Sequence, residues 1–200
     1  MRRAVFLLAG VLFAAALAPA ITYGAAETDF DSVRRMCTAP DNQDFTVFDQ
    51  ELLPGILIEI IGGDSPDSPY HERVVSSALK ALGALHVPEA VEVLVSKLPE
   101  YPTSCLYWLG TYASAVAVNA VVEYLDNEDP SLRCEAAEAL ARLPDPREDD
   151  EDYVASLVEA LSNLGIAIAD EEDEAVLGEL EDAWAHVASL VLQAGAAASE

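Results

Sequence analysis

Histidine and cysteine are the side chains best suited to binding a transition metal, and this chain has three of each. His71, His86 and His186 lie far apart, and none has a cysteine or a second histidine within one helical turn. A structural zinc site needs such ligands at short spacing. The sequence therefore nominates no metal ligand and no cofactor-binding residue.

Carboxylates are abundant, with 36 aspartates and glutamates, so close carboxylate pairs are expected by chance and none is nominated as catalytic. The acid-rich segments 145–152 and 170–174 lack the glycine and the alternating spacing of a calcium loop. We interpret them as solvated loops, with weak divalent binding as the alternative. The sequence has no Gly-x-Ser-x-Gly pentapeptide of hydrolases and no glycine-rich phosphate loop.

One group of aromatic residues could instead contact a partner. Tyr107, Trp108 and Tyr112 follow Tyr101 on or near one predicted helix. Because Tyr107 and Trp108 are adjacent, at least one of them should lie away from the apolar stripe of that helix. An exposed aromatic can anchor a bound peptide, although packing of both against neighbouring helices is the alternative. We predict Tyr107, Trp108 and Tyr112 as partner-binding residues.

These aromatics belong to an internal repeat. Residues 90–98 (AVEVLVSKL) return as residues 117–125 (AVNAVVEYL), and the same shift lays Leu82-Gly83 on Leu109-Gly110. A longer shift lays residues 78–82 on 136–140. A repeat of this length indicates stacked structural units, each of them a helix-turn-helix.

The apolar spacing predicts the helices of these units. An entry helix covers residues 48–61, with Pro54 as a kink or a first turn. Ser68 is predicted to cap the next helix and Asp129 to cap the first helix of a third pair, each followed by proline. Short connections make each pair an antiparallel hairpin.

The region after Pro144 allows two pairings. A stripe over residues 154–161, which includes Val158, fits the second helix of a pair, whereas residues 161–165 resemble the end of a first helix. The last helix, over residues 171–193 with Trp184 on its inward face, is predicted to be a terminal cap.

The N-terminus has the pattern of an export signal. Arg2 and Arg3 precede an apolar run from residue 4 to 17, and cleavage fits the small residues at either 18–20 or 24–26. An uncleaved N-terminal anchor is the alternative. We predict a signal peptide over 1–26, a lead-in with a short helix at 32–36 and a capping helix over 27–68, repeats over 69–165, and a closing helix and tail over 166–200. No later stretch is expected to approach membrane-spanning length.

The formal net charge is -26. Such a surface repels nucleic acids and anionic lipid head groups, so neither is an expected partner. The acidity either keeps the protein soluble, which is the usual role of charged faces, or forms a docking surface for a basic partner.

Cys37, Cys105 and Cys134 remain after signal removal. Export permits a disulfide, but an odd number leaves one thiol over. On the repeat register Cys105 and Cys134 are two residues out of phase, which turns their side chains about 200° apart on a helix. Buried free thiols are therefore favoured.

The segment from Asp129 to Leu143, DPSLRCEAAEALARL, resembles the first helix of a HEAT repeat, including the short bacterial kind of the phycobilisome lyases. The resemblance extends over about 68–161, although the middle copies lack the Asp-Pro. It implies an all-α fold, an α-solenoid of about three antiparallel helix hairpins with terminal capping helices. For function it implies scaffolds, adaptors and occasional lyases.

These observations predict an exported protein, periplasmic or extracellular, that binds a protein or peptide partner, and the acidity is compatible with a basic one. No catalytic residue and no cofactor is predicted. The alternatives are a lyase or hydrolase with carboxylate catalysts, which would need a buried carboxylate of raised pKa in a cleft, and a structural subunit of an envelope complex.

Overall fold

Helices are the only regular structure in the part of the chain that the computed structural model describes, which is residues 28–39, 43–147 and 150–197. This agrees with the predicted all-α class. Two 3-10 segments, Phe45–Val47 and Glu123–Asp126, accompany the α-helices. The helices are α1 (Phe30–Thr38), α2 (Leu53–Gly63), α3 (His71–Ala84), α4 (Glu89–Lys97), α5 (Pro102–Leu109), α6 (Ala115–Val122), α7 (Pro130–Ala141), α8 (Glu151–Asp170) and α9 (Glu174–Ala197).

The helices alternate between two layers. In the first layer α1 contacts α3, α3 contacts α5, α5 contacts α7, and α7 contacts α9. In the second layer α2 contacts α4, α4 contacts α6, and α6 contacts α8. A continuous core lies between the layers, and the arrangement is consistent with an α-solenoid.

Two glycines related by the repeat explain the close packing of the first layer. A Cβ on Gly83, in α3, would lie 2.5 Å from Cδ2 of Trp108 in α5. A Cβ on Gly110, at the end of α5, would lie 2.7 Å from the Cα of Ala139 in α7. The repeated Leu-Gly therefore marks the points where α3 meets α5 and where α5 meets α7.

The predicted start of α7 is confirmed, whereas the entry helix predicted over 48–61 begins only at Leu53 and leaves Leu52 outside it and 56% exposed. Pro54 lies in the first turn of α2, and the Asp129 carboxylate accepts a hydrogen bond from the Ser131 backbone N–H at the start of α7. The predicted cap at Ser68 is wrong, because α3 begins at His71 after Tyr70. Ser68 instead closes a turn, where its hydroxyl accepts from the Tyr70 N–H.

The lead-in is more ordered than the sequence predicts. Helix α1 spans nine residues and buries Val33 and Cys37. The Arg34 side chain donates a 2.8 Å hydrogen bond from Nε to Asp64, a buried carboxylate that also lies 3.1 Å from His71 Nδ1. This network joins α1 to the segment between α2 and α3. The predicted signal peptide lies outside the described residues.

The region after Pro144 forms one continuous helix, α8, before α9 begins. The main contacts of α8 are with α6 and α9, so the pairing of α8 with α7 stays a prediction. By length and composition alone α8 could cross a membrane, in contrast to the expectation that no later stretch would qualify, and it is the one such helix among the described residues. Length and composition by themselves do not distinguish a membrane-spanning helix from a helix of a soluble protein.

All three cysteines are free thiols, as the sequence favours. Cys37 and Cys105 are buried, and burial raises the pKa of each thiol to about 12. Cys134 is half-buried on α7.

Candidate functional site

The three predicted partner-binding aromatics have different environments. Tyr107 is 46% exposed, Trp108 is half-buried against Gly83, and Tyr112 is buried. The Tyr112 hydroxyl donates a 3.0 Å hydrogen bond to the Gly83 carbonyl, and burial raises its pKa to about 12. Tyr112 therefore has a structural role, and Tyr107 is the aromatic that faces solvent. Partner binding by these residues stays a prediction.

Charged and aromatic neighbours complete this aromatic cluster. The Arg142 guanidinium of α7 lies 4.7 Å from the centre of the Tyr107 ring, and its Nη1 is 3.1 Å from Glu138. His86 is exposed at the turn between α3 and α4, with its ring stacked 5.4 Å from that of Tyr112. Its positive φ of 52° is rare for a residue with a side chain. The cluster thus links α3, α5 and α7.

A second candidate surface lies on α6 and α8, on the outer side of the second layer. Val158 and Ile166 of α8 are 49% and 62% exposed, and their spacing of eight residues places them on one face of the helix. Val116, at the start of α6, is 54% exposed. We call these three residues the α6–α8 face. Val158 was predicted to point inward, and that prediction is wrong.

A cavity of about 590 Å³ lies at the N-terminal end of the α6–α8 face. It is bounded by the turns within three successive helix pairs. Val116 and Tyr112 contribute apolar wall, and Glu92, Asp145 and Asp150 contribute carboxylates, with Arg147 as the cation among its lining residues.

A second cavity of about 590 Å³ lies at the C-terminal end of the same face. Ile166, Val122 and Leu125 are among its apolar residues. Its carboxylates are Asp126, Glu128, Asp170, Glu171 and Glu172.

An ion pair holds one of these carboxylates. Arg133 Nε lies 2.7 Å from Glu171, whose side chain is 5% exposed. Hydrogen bonds from Arg133 lower the pKa of Glu171 to about 2. Arg133 neutralises the charge of Glu171. The negative charges of the other four carboxylates of this cavity are therefore not balanced by Arg133.

The sequence did not predict the α6–α8 face, because Val158 fits the inward stripe and Val116 is surrounded by apolar residues. The available signal was the number of apolar residues in α8, which exceeds what one inward stripe can hold. Trp184 was likewise predicted to point inward, and it is 45% exposed on α9.

Helix packing also assembles a group of potential metal ligands that the sequence did not nominate. Ligand atoms of Cys134 and Glu138 on α7 and of Glu179 on α9 all lie within 4.8 Å of one another. Glu138 is already paired with Arg142, and all three residues are partly exposed. The described parts of the acidic segments 145–152 and 170–174 form no such group.

Residues 132–163 match the family described as PBS lyase HEAT-like repeat. The match covers most of α7, the following loop and the first part of α8, and it confirms the predicted resemblance over that segment. Comparison with curated proteins and with solved structures gives no significant match. The family match favours a helical repeat scaffold over a catalyst, and such repeats commonly mediate protein interactions.

Proposed function

We propose that this protein is an exported HEAT-like scaffold that binds a protein or peptide partner through an acidic helical surface on α6 and α8. One observation carries the proposal. Helix α8 is apolar enough to span a membrane, yet only 28% of its most apolar window is buried inside the protein. The exposed apolar face that results is the kind of surface that a binding partner covers.

The proposed architecture has three hairpins. They are α3 with α4, α5 with α6, and α7 with α8. Helices α1 and α2 cover one end of this array, and α9 covers the other. The contacts within each layer support this architecture, because the helices of every hairpin contact those of the next hairpin. We propose the signal peptide over 1–26 and the repeats from residue 69, and three hairpins extend the repeats from the predicted limit of 165 to Asp170, where α8 ends.

Charge favours a basic partner. The chain has 36 acidic against 10 basic residues, and both cavities beside the α6–α8 face are lined by several carboxylates. Like charges would repel an acidic partner at the same place. Nucleic acids and anionic membranes are disfavoured for the same reason.

Capture from an envelope extract tests the proposal. The full-length chain and three variants serve as baits: Ile166→Glu on the α6–α8 face, Tyr107→Ala in the aromatic cluster, and Leu192→Glu. Leu192 is 74% exposed on α9 and lines neither cavity, so it is the matched control. A partner that Ile166→Glu loses and Leu192→Glu retains is expected.

Equal capture by Ile166→Glu and Leu192→Glu would reject the α6–α8 face as the site. A partner lost only by Tyr107→Ala would move the site to the aromatic cluster, as the sequence first suggested. N-terminal sequencing of the recovered protein tests export, since a start after residue 20 or 26 is expected.

An enzyme is the second candidate, because the matched family is described as a lyase repeat. Catalysis by a carboxylic acid would need a buried group of raised pKa in a cleft. Burial raises the pKa of Glu135, with a further contribution from Glu138, but Glu135 lines neither cavity. Binding is therefore the function that we propose.

A further inference from the structure

The second half of α9 presents an apolar stripe that the packing of this helix leaves open. Trp184 and Leu192 are 45% and 74% exposed, and Ala188 between them is half-buried. Because these three residues are four apart, their side chains lie along one side of the helix. We call them the α9 stripe. The side of α9 that packs against α7 and α8 is formed by other residues, which are Val176, Leu180, Ala183, Val187 and Leu190.

This part of α9 differs from the rest of the chain in charge. Residues 183–197 contain no aspartate, glutamate, lysine or arginine, although the chain of 200 residues has 36 acidic ones. The one titratable side chain of the segment is His186, whose Nε2 lies 2.8 Å from the Leu143 carbonyl oxygen. Two copies of a chain with a formal net charge of -26 repel each other. They can therefore approach best at a helix face that carries no acidic side chain.

The side chains of the α9 stripe are complementary to a second copy of themselves. When two copies of α9 run antiparallel about a two-fold axis at Ala188, Trp184 of each copy lies opposite Leu192 of the other, because both positions are four residues from the axis. The two Ala188 methyl groups meet at the centre, and small side chains there let the helix axes approach closely. The large apolar side chains are then covered on both sides of the contact.

The nearest acidic residues of α9 favour the antiparallel pair over a parallel one. Glu181 and Asp182 are exposed about one turn before the stripe. In a parallel pair each of these carboxylates would lie at the level of its own copy, and like charges at that distance repel. In the antiparallel pair the two Glu181 positions are on opposite sides of the axis and about 21 Å apart along the helices. This exceeds the screening length of about 8 Å at physiological ionic strength.

We propose that the α9 stripe is the interface of a symmetric homodimer, in which α9 of one copy packs antiparallel on α9 of the other about Ala188. The stripe is short, and interfaces that bury less than about 1,200 Å² are typical of weak complexes, so the dimer should dissociate in the micromolar range. The inference is independent of the proposed function, because the stripe and the α6–α8 face lie on different helices. A neutral membrane surface also fits an uncharged apolar stripe, and membrane binding is an outcome of the test.

Sedimentation equilibrium of the full chain measures the association. We expect a monomer–dimer equilibrium that tightens as NaCl rises from about 20 to about 500 mM, because salt screens the repulsion between two acidic copies. Leu192→Glu should weaken dimerisation by about tenfold or more, because it places a charge against the Trp184 ring. Trp184→Ala should do the same by removing the largest side chain of the contact. Ile166→Glu adds the same charge on α8 and should leave dimerisation unchanged.

A short bis-maleimide tests the orientation of the two helices. The variants are made in a Cys134→Ala background, which removes the half-buried native thiol. The reagent should join two copies of Ala188→Cys, since these positions meet at the axis. It should not join two copies of Glu181→Cys, which lie about 21 Å apart. Joining of both variants would reject the antiparallel pair.

Two other results would overturn the inference: a monomer at every protein and salt concentration, or equal association of Leu192→Glu and the parent chain. Binding of a monomeric parent chain to neutral lipid vesicles, lost in Leu192→Glu, would assign the stripe to a membrane surface instead. An extract partner that Leu192→Glu retains and Ile166→Glu loses supports the proposed function whether or not the chain dimerises, so the two proposals fail separately.

Discussion

Packed and exposed regions of the repeat differ in how well they keep their residues. In the first layer Gly83 and Gly110 occupy equivalent positions, and both are closely approached by the next helix. In the second layer the exposed positions diverge, so that Glu89 of α4 corresponds to Val116 of α6, and Glu92 to Asn119. Positions where helices contact each other keep their residues, as Val91 and Val118 do in the second layer, and exposed positions change, among them those of the candidate binding surface.

This difference teaches where function can be sought in a repeat protein. Positions at helix contacts are held by packing, because a side chain there has no room to change. Exposed positions have no such constraint, so they can acquire the chemistry of a partner surface. The four predictions that follow test this difference between packed and exposed positions, from the largest expected effect to the smallest.

Adding a methyl group at Gly110 should have the largest effect. The new Cβ would overlap the Ala139 backbone, which cannot rotate away as a side chain could. We expect Gly110→Ala to lower the free energy of unfolding by about 3 kcal/mol, measured by urea denaturation. Gly165→Ala on the exposed side of α8, where nothing lies within 4 Å, should instead raise it by about 0.5 to 1 kcal/mol. Equal effects of the two changes would contradict the comparison.

Removing Trp108 should be the next most costly change. Its ring packs on Gly83 between α3 and α5, so Trp108→Ala leaves a cavity in the first layer. Because Trp108 is only half-buried, we expect a loss of about 2 to 3 kcal/mol, near the lower end for buried aromatics. Tyr107→Ala at the adjacent, exposed position should cost less than about 1 kcal/mol. Thermal melting of both variants checks this, and a larger loss for Tyr107→Ala would reverse the assignment.

The ion pair of Arg133 and Glu171 links the first layer to the loop after α8 and should make stability depend on pH. The hydrogen bonds of this ion pair lower the pKa of Glu171 from 4.5 to about 2. A carboxyl group whose pKa is lower in the folded than in the unfolded protein stabilises the fold at pH values above its unfolded pKa. This contribution is lost as the pH falls from 4.5 towards 2. The stability difference between the parent chain and Glu171→Gln should therefore be full above about pH 5 and disappear near pH 2. Urea titrations at several pH values measure it, with Glu181→Gln on exposed α9 as the control.

Thiol labelling should show the smallest change and needs no substitution. All three cysteines are in the first layer, and only Cys134 is partly exposed. Burial and the nearby Glu179 and Glu138 raise the pKa of Cys134, so it should react with maleimide more slowly than free cysteine at neutral pH. Intact-mass spectrometry should find one label under native conditions and three in urea. Fast native labelling of Cys37 or Cys105 would show that the first layer opens.

The sequence predicted much of the first layer correctly. The Leu-Gly repeat, the Asp-Pro start of α7 and the apolar spacing are local signals, and each corresponds to a helix contact or a cap in the structure. The two wrong predictions of inward-pointing side chains have a common cause. Val158 and Trp184 lie on helices with more apolar residues than one face can hold, and periodicity alone does not say which of them are covered.

The sequence alone determined that this chain forms stacked helical pairs, because turns, caps and apolar spacing act over a few residues. Only the tertiary structure decided which side of each helix is covered, since that depends on which helices lie next to each other. The packing of α8 against α6 and α9 left Val158 and Ile166 exposed, and the meeting of the loops placed carboxylates at both ends of them. The candidate site is thus a consequence of long-range packing, while the scaffold that positions it follows from short-range sequence.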